Sequence, residues 1–419
     1  QTLVSLALRA LEQFWIVLVQ AWGRVFDLPL SADATLARRY WLAVPLCLAG
    51  LLAWLAAQKP QPAADAPRQP ALQMLAVGAL ALLLAGWPFW LTGVPFSLQF
   101  AFDRFTLPFM LGVSLLLGGL LHLLPLGRWL RAARLGGLVA LAVGLQLGVG
   151  YAFVQDWTAQ KSFFWQLSWR IPALQEGTLL IGNEMRSTAY STDNSLTAPL
   201  NWMYVPALPA SPQPGTLPFM LVYPSIRLGN ASLPALEKGQ ISYKDYLVAE
   251  YRGSTDRAVA IYYEPPGCLR VLEPADGNDP ALPDAMRKAA VLSQAALILP
   301  APARAAQPMA QIFGAEPAHT WCYYYQKAGL ARQQGDWQQV VALGSQAERL
   351  GLKPILPAEL LPFIEAHARL NAWERAAQLS VQAAAQKPDP SAVVCTLWRK
   401  LLNATPPSAQ RSAAWEEVR

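Results

Sequence analysis

The chain has 419 residues, of which 14% are charged and 54% hydrophobic, and its mean hydropathy is +0.24. An ordinary soluble chain carries about 25% charged residues, so this balance argues against a wholly water-soluble protein and points to a membrane protein with two or three domains. Net charge is +6, yet several arginines fall in short loops between apolar segments and no basic stripe interleaves with aromatics, so no nucleic-acid partner is expected.

Read from its start, the chain opens on Gln1 with no signal peptide before its first apolar segment, and it is expected to be a fragment or a processed form. The apolar excess sits almost wholly before Gln155. Four stretches approach or reach the roughly 20 residues a helix needs to cross a bilayer: Tyr40–Ala57, Met74–Gly93, Phe105–Leu126 and Leu135–Val154. A fifth, Leu3–Val25, contains Arg9, Glu12 and Arg24; it either spans with its charges facing other helices or lies in the interface. The loop "LGRWLRAARL" holds Arg128, Arg131 and Arg134, the strongest cytoplasmic marker in the chain, and Lys59 and Arg68 fall on the same side by alternation. Arg38 and Arg39 speak against this balance. Everything after Val154 is thus expected outside the cytoplasm, in a bacterial plasma membrane protein.

The outward loop "GVPFSLQFAFDRF" ends in Asp103 and Arg104. These read as helix-start chemistry, an acid at the positive end and a snorkelling arginine, or as a surface pair holding a phosphate or sugar hydroxyl. Trp87, Trp90 and Trp129 stand near segment ends, where an aromatic belt places them. Beyond the last segment, Trp157, Phe164, Trp165 and Trp169 keep a helical repeat that continues the membrane helix or lies along the surface.

A small α/β domain is expected next, about Gly177 to Pro300. Its strands are read in "GTLLIGNEM", "LPFMLVYPS", "RAVAIYYEP" and "CLRVLEP", with a helix over Ala285–Leu299. The stretch "YSTDNSLTAPLNWMYVP" is expected to be a loop just past a strand end, where such domains hold ligands. Tyr190, Asp193, Asn194, Asn201, Trp202 and Tyr204 supply polar groups and flat rings suited to a sugar. The same residues also fit a capped turn.

Cys47 reads as a packing residue, while Cys268 and Cys322 either pair or stay free thiols beside Cys395. There is no Walker lysine loop, GxSxG, HExxH or dinucleotide glycine fingerprint, and histidines number three. No cofactor and no metal is expected.

The clearest repeat lies near the end. "KAGLARQQGDWQQVVALGSQA" is matched by "FIEAHARLNAWERAAQLSVQA", with Trp337 against Trp373, Val340 against Ala376 and Ala347 against Ala383 at close-packed helical positions, and Lys387-Pro388 closing the second unit. This resembles the tetratricopeptide repeat family over about Tyr323 to Pro388, which implies paired helices stacking into a concave surface. Gly344 and Ser380 depart from the pattern, since a bulky aromatic is usual there. One more helix and a polar tail are expected to follow.

The combination resembles, in architecture and not in motif, the carboxy-terminal part of a bacterial GT-C type glycosyltransferase. That resemblance implies a lipid-linked sugar as substrate and action outside the cytoplasm. The family's acidic motif would lie upstream of this chain, so no catalytic residue is carried over. The competing reading is a membrane-anchored scaffold whose repeats bind a protein or glycan of the envelope. The expected plan is a transmembrane domain over 1–155, an interfacial helix or linker over 156–176, an α/β domain over 177–315, helical repeats over 316–405 and a polar tail over 406–419.

Overall fold

A computed structural model describes residues 3–30, 33–58, 68–94, 96–99, 102–124, 127–184, 193–224, 233, 235–386 and 391–419, the side chains of Leu3, Arg128, Arg131 and Asn194 excepted. The expected proline stop at Lys387-Pro388 lies outside them. The chain divides into two compact units, Gln1–Asp156 and Trp157–Arg419.

The first unit is helical: α1 (Leu3–Trp15), a π-turn over Ile16–Gln20, the short α2 (Ala21–Gly23), α3 (Ala34–Ala57), α4 (Arg68–Thr92), α5 (Met110–Leu123) and the start of α6 (Arg128–Arg170). Among the described residues, five helical stretches are long and apolar enough to cross a membrane: Val4–Phe26, Ala34–Ala57, Arg68–Thr92, Asp103–Leu123 and Ala132–Arg170. The stretch with Arg9 and Arg24 is among them. The helices start before the apolar runs because polar residues form their first turns; Asp33 Oδ1, for instance, accepts from the amides of Thr35 at 2.8 Å and Leu36 at 2.9 Å. Helices α4 and α5 pack through glycines: a Cβ on Gly78 would stand 2.9 Å from the Gly112 carbonyl oxygen. Trp87 and Trp129 are exposed, as a belt requires, whereas Trp90 is buried in the bundle.

In the second unit α6 runs on to Arg170, so the aromatic stretch after the last apolar run continues the same helix. Phe163, Phe164 and Leu167 on it, and Ile171 just after it, are buried against the sheet. That sheet has the order β2-β1-β5-β6, built from β1 (Leu179–Gly182), β2 (Met220–Val222), β5 (Ala258–Tyr262) and β6 (Arg270–Val271). Strands β2, β1 and β5 are parallel and β6 antiparallel. Both faces are covered, Leu180, Leu221 and Val259 on one and Leu179, Met220 and Ala260 on the other, which is why these strands read as unbroken apolar runs.

Two elements differ from expectation. The stretch read as a loop is helix α7 (Asn194–Tyr204) from its fifth residue on, with Leu196, Leu200, Met203 and Tyr204 buried. Pro199 disguised that pattern. A hairpin of β3 (Ile241–Asp245) and β4 (Glu250–Ser254) was not expected, because its strands are charged and bury little beyond Ser242 and Tyr251. The expected helix over Ala285–Leu299 is α8 (Asp284–Leu292), which stops at Ser293 because the chain there turns onto β5. Ser293 Oγ accepts from the Ala260 amide at 2.9 Å, and the Gln294 amide donates to the Ala258 carbonyl at 2.8 Å.

Helix α7 closes the free edge of β2. Asn201 donates to the Phe219 carbonyl at 2.7 Å and accepts from its amide at 3.2 Å, while Thr197 Oγ1 lies 3.2 Å from both backbone polar groups of Leu221. Removing the amide leaves a buried strand edge unpaired. Asn201→Ala is therefore expected to destabilise the second unit by about 1–3 kcal/mol, read as a lower midpoint in thermal unfolding.

After the sheet come the short α9 (Ala310–Phe313) and three helical pairs: α10 (Trp321–Gln333) with α11 (Trp337–Arg349), α12 (Leu361–Arg369) with α13 (Trp373–Ala384), and α14 (Ser391–Ala404) with α15 (Ala409–Val418). The second helices start at Trp337, Trp373 and Ala409, 36 residues apart each time. The expected polar tail is thus mostly α15, with Ala414 buried and Trp415 packed 5.9 Å from Trp398. Ala347, Ala376 and Ala383 are fully buried, and Trp373 nearly so. The two departures from the repeat pattern have a packing reason. A Cβ on Gly344 would meet the Phe363 ring at 2.8 Å, and Ser380 Oγ accepts from Trp398 Nε1 at 2.9 Å. In each case an aromatic from the next pair fills the space.

Candidate functional site

The candidate residues of the α7 region fall in different surroundings. Asn201 and Tyr204 are buried and bonded to backbone, Tyr204 through its hydroxyl to the Ile171 carbonyl at 2.7 Å. Trp202 is exposed. Tyr190 and the Asn194 side chain lie outside the described residues. Asp193 starts α7 but does not cap it with its side chain. Its carboxylate instead faces the β3–β4 hairpin, 3.7 Å from Lys244 Nζ and 3.4 Å from the Tyr246 hydroxyl. Burial, and then the charge of Asp193, push the Tyr246 hydroxyl well above its ordinary pKa. In the first unit, Asp103 Oδ1 accepts from the Arg104 amide at 2.9 Å, and the Arg104 guanidinium lies 5.2 Å from the Phe105 ring centre. Both contacts are local, each between neighbouring residues of the chain.

A larger feature lies past the carboxyl end of β5, a position that receives ligands in open α/β sheets. A cavity of about 340 Å³ is lined by Tyr262, the prolines 265, 266, 280 and 357, Leu282, Leu356 and Val393. Beside it, a cavity of about 130 Å³ is lined by Glu273, Asp276, Tyr325, Arg332, Glu365, Thr396 and Lys400. Arg270, Ala358 and Val393 line both. Together they form one cleft, apolar at one end and charged at the other. One wall is the end of the sheet; the opposite wall comes from α10, α12 and α14, the first helices of the three pairs. On α14 the lining residues Ala392, Val393, Thr396, Leu397 and Lys400 share a single helical face.

The charged end is a connected network. Arg332 holds Glu273 at 2.6 Å through one Nη and Glu365 at 2.6 Å through Nε. Arg369 and Lys400 approach Glu365 at 3.6 and 4.0 Å. Arg270 lies 3.2 Å from Asp276 and 3.1 Å from Asp279. Burial pushes Asp276 up despite Arg270. Burial also pushes the Tyr325 hydroxyl up to about 12. Glu365 is almost fully buried, and such a charge needs its partners to remain there.

Sequence reasoning missed these residues. A signal was present: Glu365 and Arg332 interrupt otherwise apolar helix faces, and Arg270 and Glu273 interrupt the strand "CLRVLEP". What joins them is the fold, which brings four distant segments together. Two further ties hold the cleft walls. Cys268 and Cys322 form a disulfide between the start of β6 and α10. Gln166 accepts from the Leu269 amide at 2.8 Å and from Gln326 at 3.0 Å.

No family model matches the chain, and no curated protein or solved structure matches it. Among the described residues no group of three or more His, Cys, Asp or Glu is placed to hold a metal ion.

Proposed function

We propose that this protein is anchored in a bacterial plasma membrane by its apolar helices and that its second unit, outside the cytoplasm, binds a component of the cell envelope in the cleft. The observation that carries the reading is the cleft itself: a pocket at a strand's carboxyl end whose apolar and charged halves meet at Arg270. The Cys268–Cys322 bridge supports an oxidising compartment for this unit. The cluster Arg128, Arg131 and Arg134 supports a cytoplasmic loop ahead of α6. The 36-residue spacing of the helical pairs supports a tetratricopeptide-like scaffold whose inner helices face the ligand. A GT-C-like transferase is the second reading, favoured by the joining of several membrane-length helices to a large further unit.

Two measurements test the proposal. With Cys47 and Cys395 replaced by serine, a membrane-impermeant maleimide is expected to label Lys353→Cys in intact cells and Gly127→Cys only after permeabilisation. The reverse pattern sinks the extracytoplasmic placement. For the cleft, the full chain in lipid nanodiscs is titrated with soluble muramyl peptides. Val393→Trp, which fills the cavity with an indole, is expected to weaken binding about tenfold, or about 1.4 kcal/mol, at an unchanged unfolding midpoint. Equal binding by the variant and the parent removes the cleft from the proposal.

A further inference from the structure

The membrane-length helices hold a second feature, independent of the cleft. Arg9 and Gln13 on α1 and Val17 on the π-turn that follows it are four residues apart in sequence and lie along one stripe. Val17 is buried against Leu82 of α4, with Phe109 and Val113 nearby. The stripe therefore faces the bundle. Three buried side-chain atoms on this stripe and on α4 facing it, Arg9 Nη1, Gln13 Oε1 and Trp90 Nε1, have no hydrogen-bond partner among the described residues. Gln13 is 5% exposed and Trp90 9%.

Helix α4 is shaped to seat two of these groups. Gly93 has φ +67°, and a Cβ there would lie 2.7 Å from Arg9 Nη1. A side chain at this position would be strained in backbone and would collide with the guanidinium. A Cβ on Gly86 would stand 2.2 Å from Cζ2 of Trp90. The Trp90 ring is fixed from the other side by Phe14, edge-on at 5.6 Å between centres. A snorkelling arginine carries its nitrogens out to water; Arg9 Nη1 is instead buried at the end of α4.

Arg9 lies inside the apolar stretch Val4–Phe26 and has no ion-pair partner among the described residues. A cation in that setting needs an anion beside it. Two orphan donors, one a guanidinium, call for several acceptor oxygens on one anionic group, which is the chemistry of a phosphate ester. The orphan acceptor Gln13 Oε1 calls for a hydroxyl or ammonium close to that phosphate. We propose that Arg9, Gln13 and Trp90 form a site for the phosphate-bearing headgroup of a lipid. Bilayer phospholipids and polyprenyl phosphates share this chemistry.

The test is native mass spectrometry of the full chain released from detergent containing phosphatidylglycerol, a polyprenyl monophosphate or diacylglycerol. The parent is expected to retain one phosphate lipid and no diacylglycerol. Arg9→Met and Trp90→Phe are each expected to lower that retention about tenfold, the effect of losing a hydrogen bond to a charged group. Trp90→Phe keeps an aromatic ring against Phe14, so its loss of lipid does not depend on lost packing. Competition between phosphatidylglycerol and the polyprenyl phosphate identifies the source, and preferential retention of either supports the site. Retention by both variants equal to the parent, or equal retention of diacylglycerol, overturns it.

Discussion

Arg332→Met is expected to destabilise the second unit by about 3 kcal/mol, because it strands two carboxylates at once. Arg332 reaches Glu273 on the sheet side and Glu365 on α12, both at 2.6 Å. Methionine keeps much of the side-chain volume, so the loss reports the charge and its hydrogen bonds rather than a cavity. Arg369 and Lys400 remain near Glu365 and hold the effect toward the lower end of the range for broken buried pairs. Thermal unfolding of the full chain measures it. Glu365→Gln in the same background is expected to restore part of the loss, since it removes the stranded charge. An unchanged midpoint for Arg332→Met would show that the network contributes no net stability.

The same pair sets a pH dependence. Burial pushes the Glu273 carboxyl up, but Arg332 beside it outweighs burial and holds the pKa below the usual carboxylate value. A depressed folded pKa contributes stability that is fully present above the unfolded carboxylate pKa. It is lost as pH falls through the folded value. The parent should therefore lose stability on the acid side through this pair, and Arg332→Met should flatten that part of the profile.

Breaking the Cys268–Cys322 bridge is the second large effect. The two cysteines are separated by 54 residues in sequence, and closing a loop of that length restricts the unfolded chain by about 4 kcal/mol in the chain-entropy account. Cys322→Ser, or reduction with dithiothreitol, is expected to lower the unfolding midpoint of the second unit by a similar amount. The Cys268 amide stays bonded to Glu359 at 2.9 Å, so local packing there should survive and the loss should come mainly from the freed loop. Equal midpoints under oxidising and reducing conditions would show that the bridge adds nothing.

Much of the fold was legible in the sequence where one residue type dominates a period. The apolar runs, the three buried parallel strands and the matched tryptophans 337 and 373 all carry their own pattern. Elements that rely on long-range partners were not legible. Helix α7 is a regular amphipathic helix broken in appearance by Pro199, and its Asn201 reads as a ligand group until Phe219 is seen beside it. The β3–β4 hairpin is polar on most positions, so no alternation announces it. The third helical pair lacks a tryptophan at Ala409, where the spacing places one. The cleft was the least legible part, since Arg270, Tyr325, Glu365 and Lys400 come from separate segments and are joined only by folding.

The filled gaps at Gly344 and Ser380 give the helical stack a direction. Each recess lies on the second helix of a pair, and each aromatic that fills it comes from the first helix of the following pair. Phe363 fits against a glycine, while Trp398 needs the hydroxyl of a serine for its indole nitrogen. The junctions are therefore not interchangeable. A chain with its pairs reordered would set an indole against a recess with no acceptor, and a phenyl ring beside a hydroxyl it cannot bond.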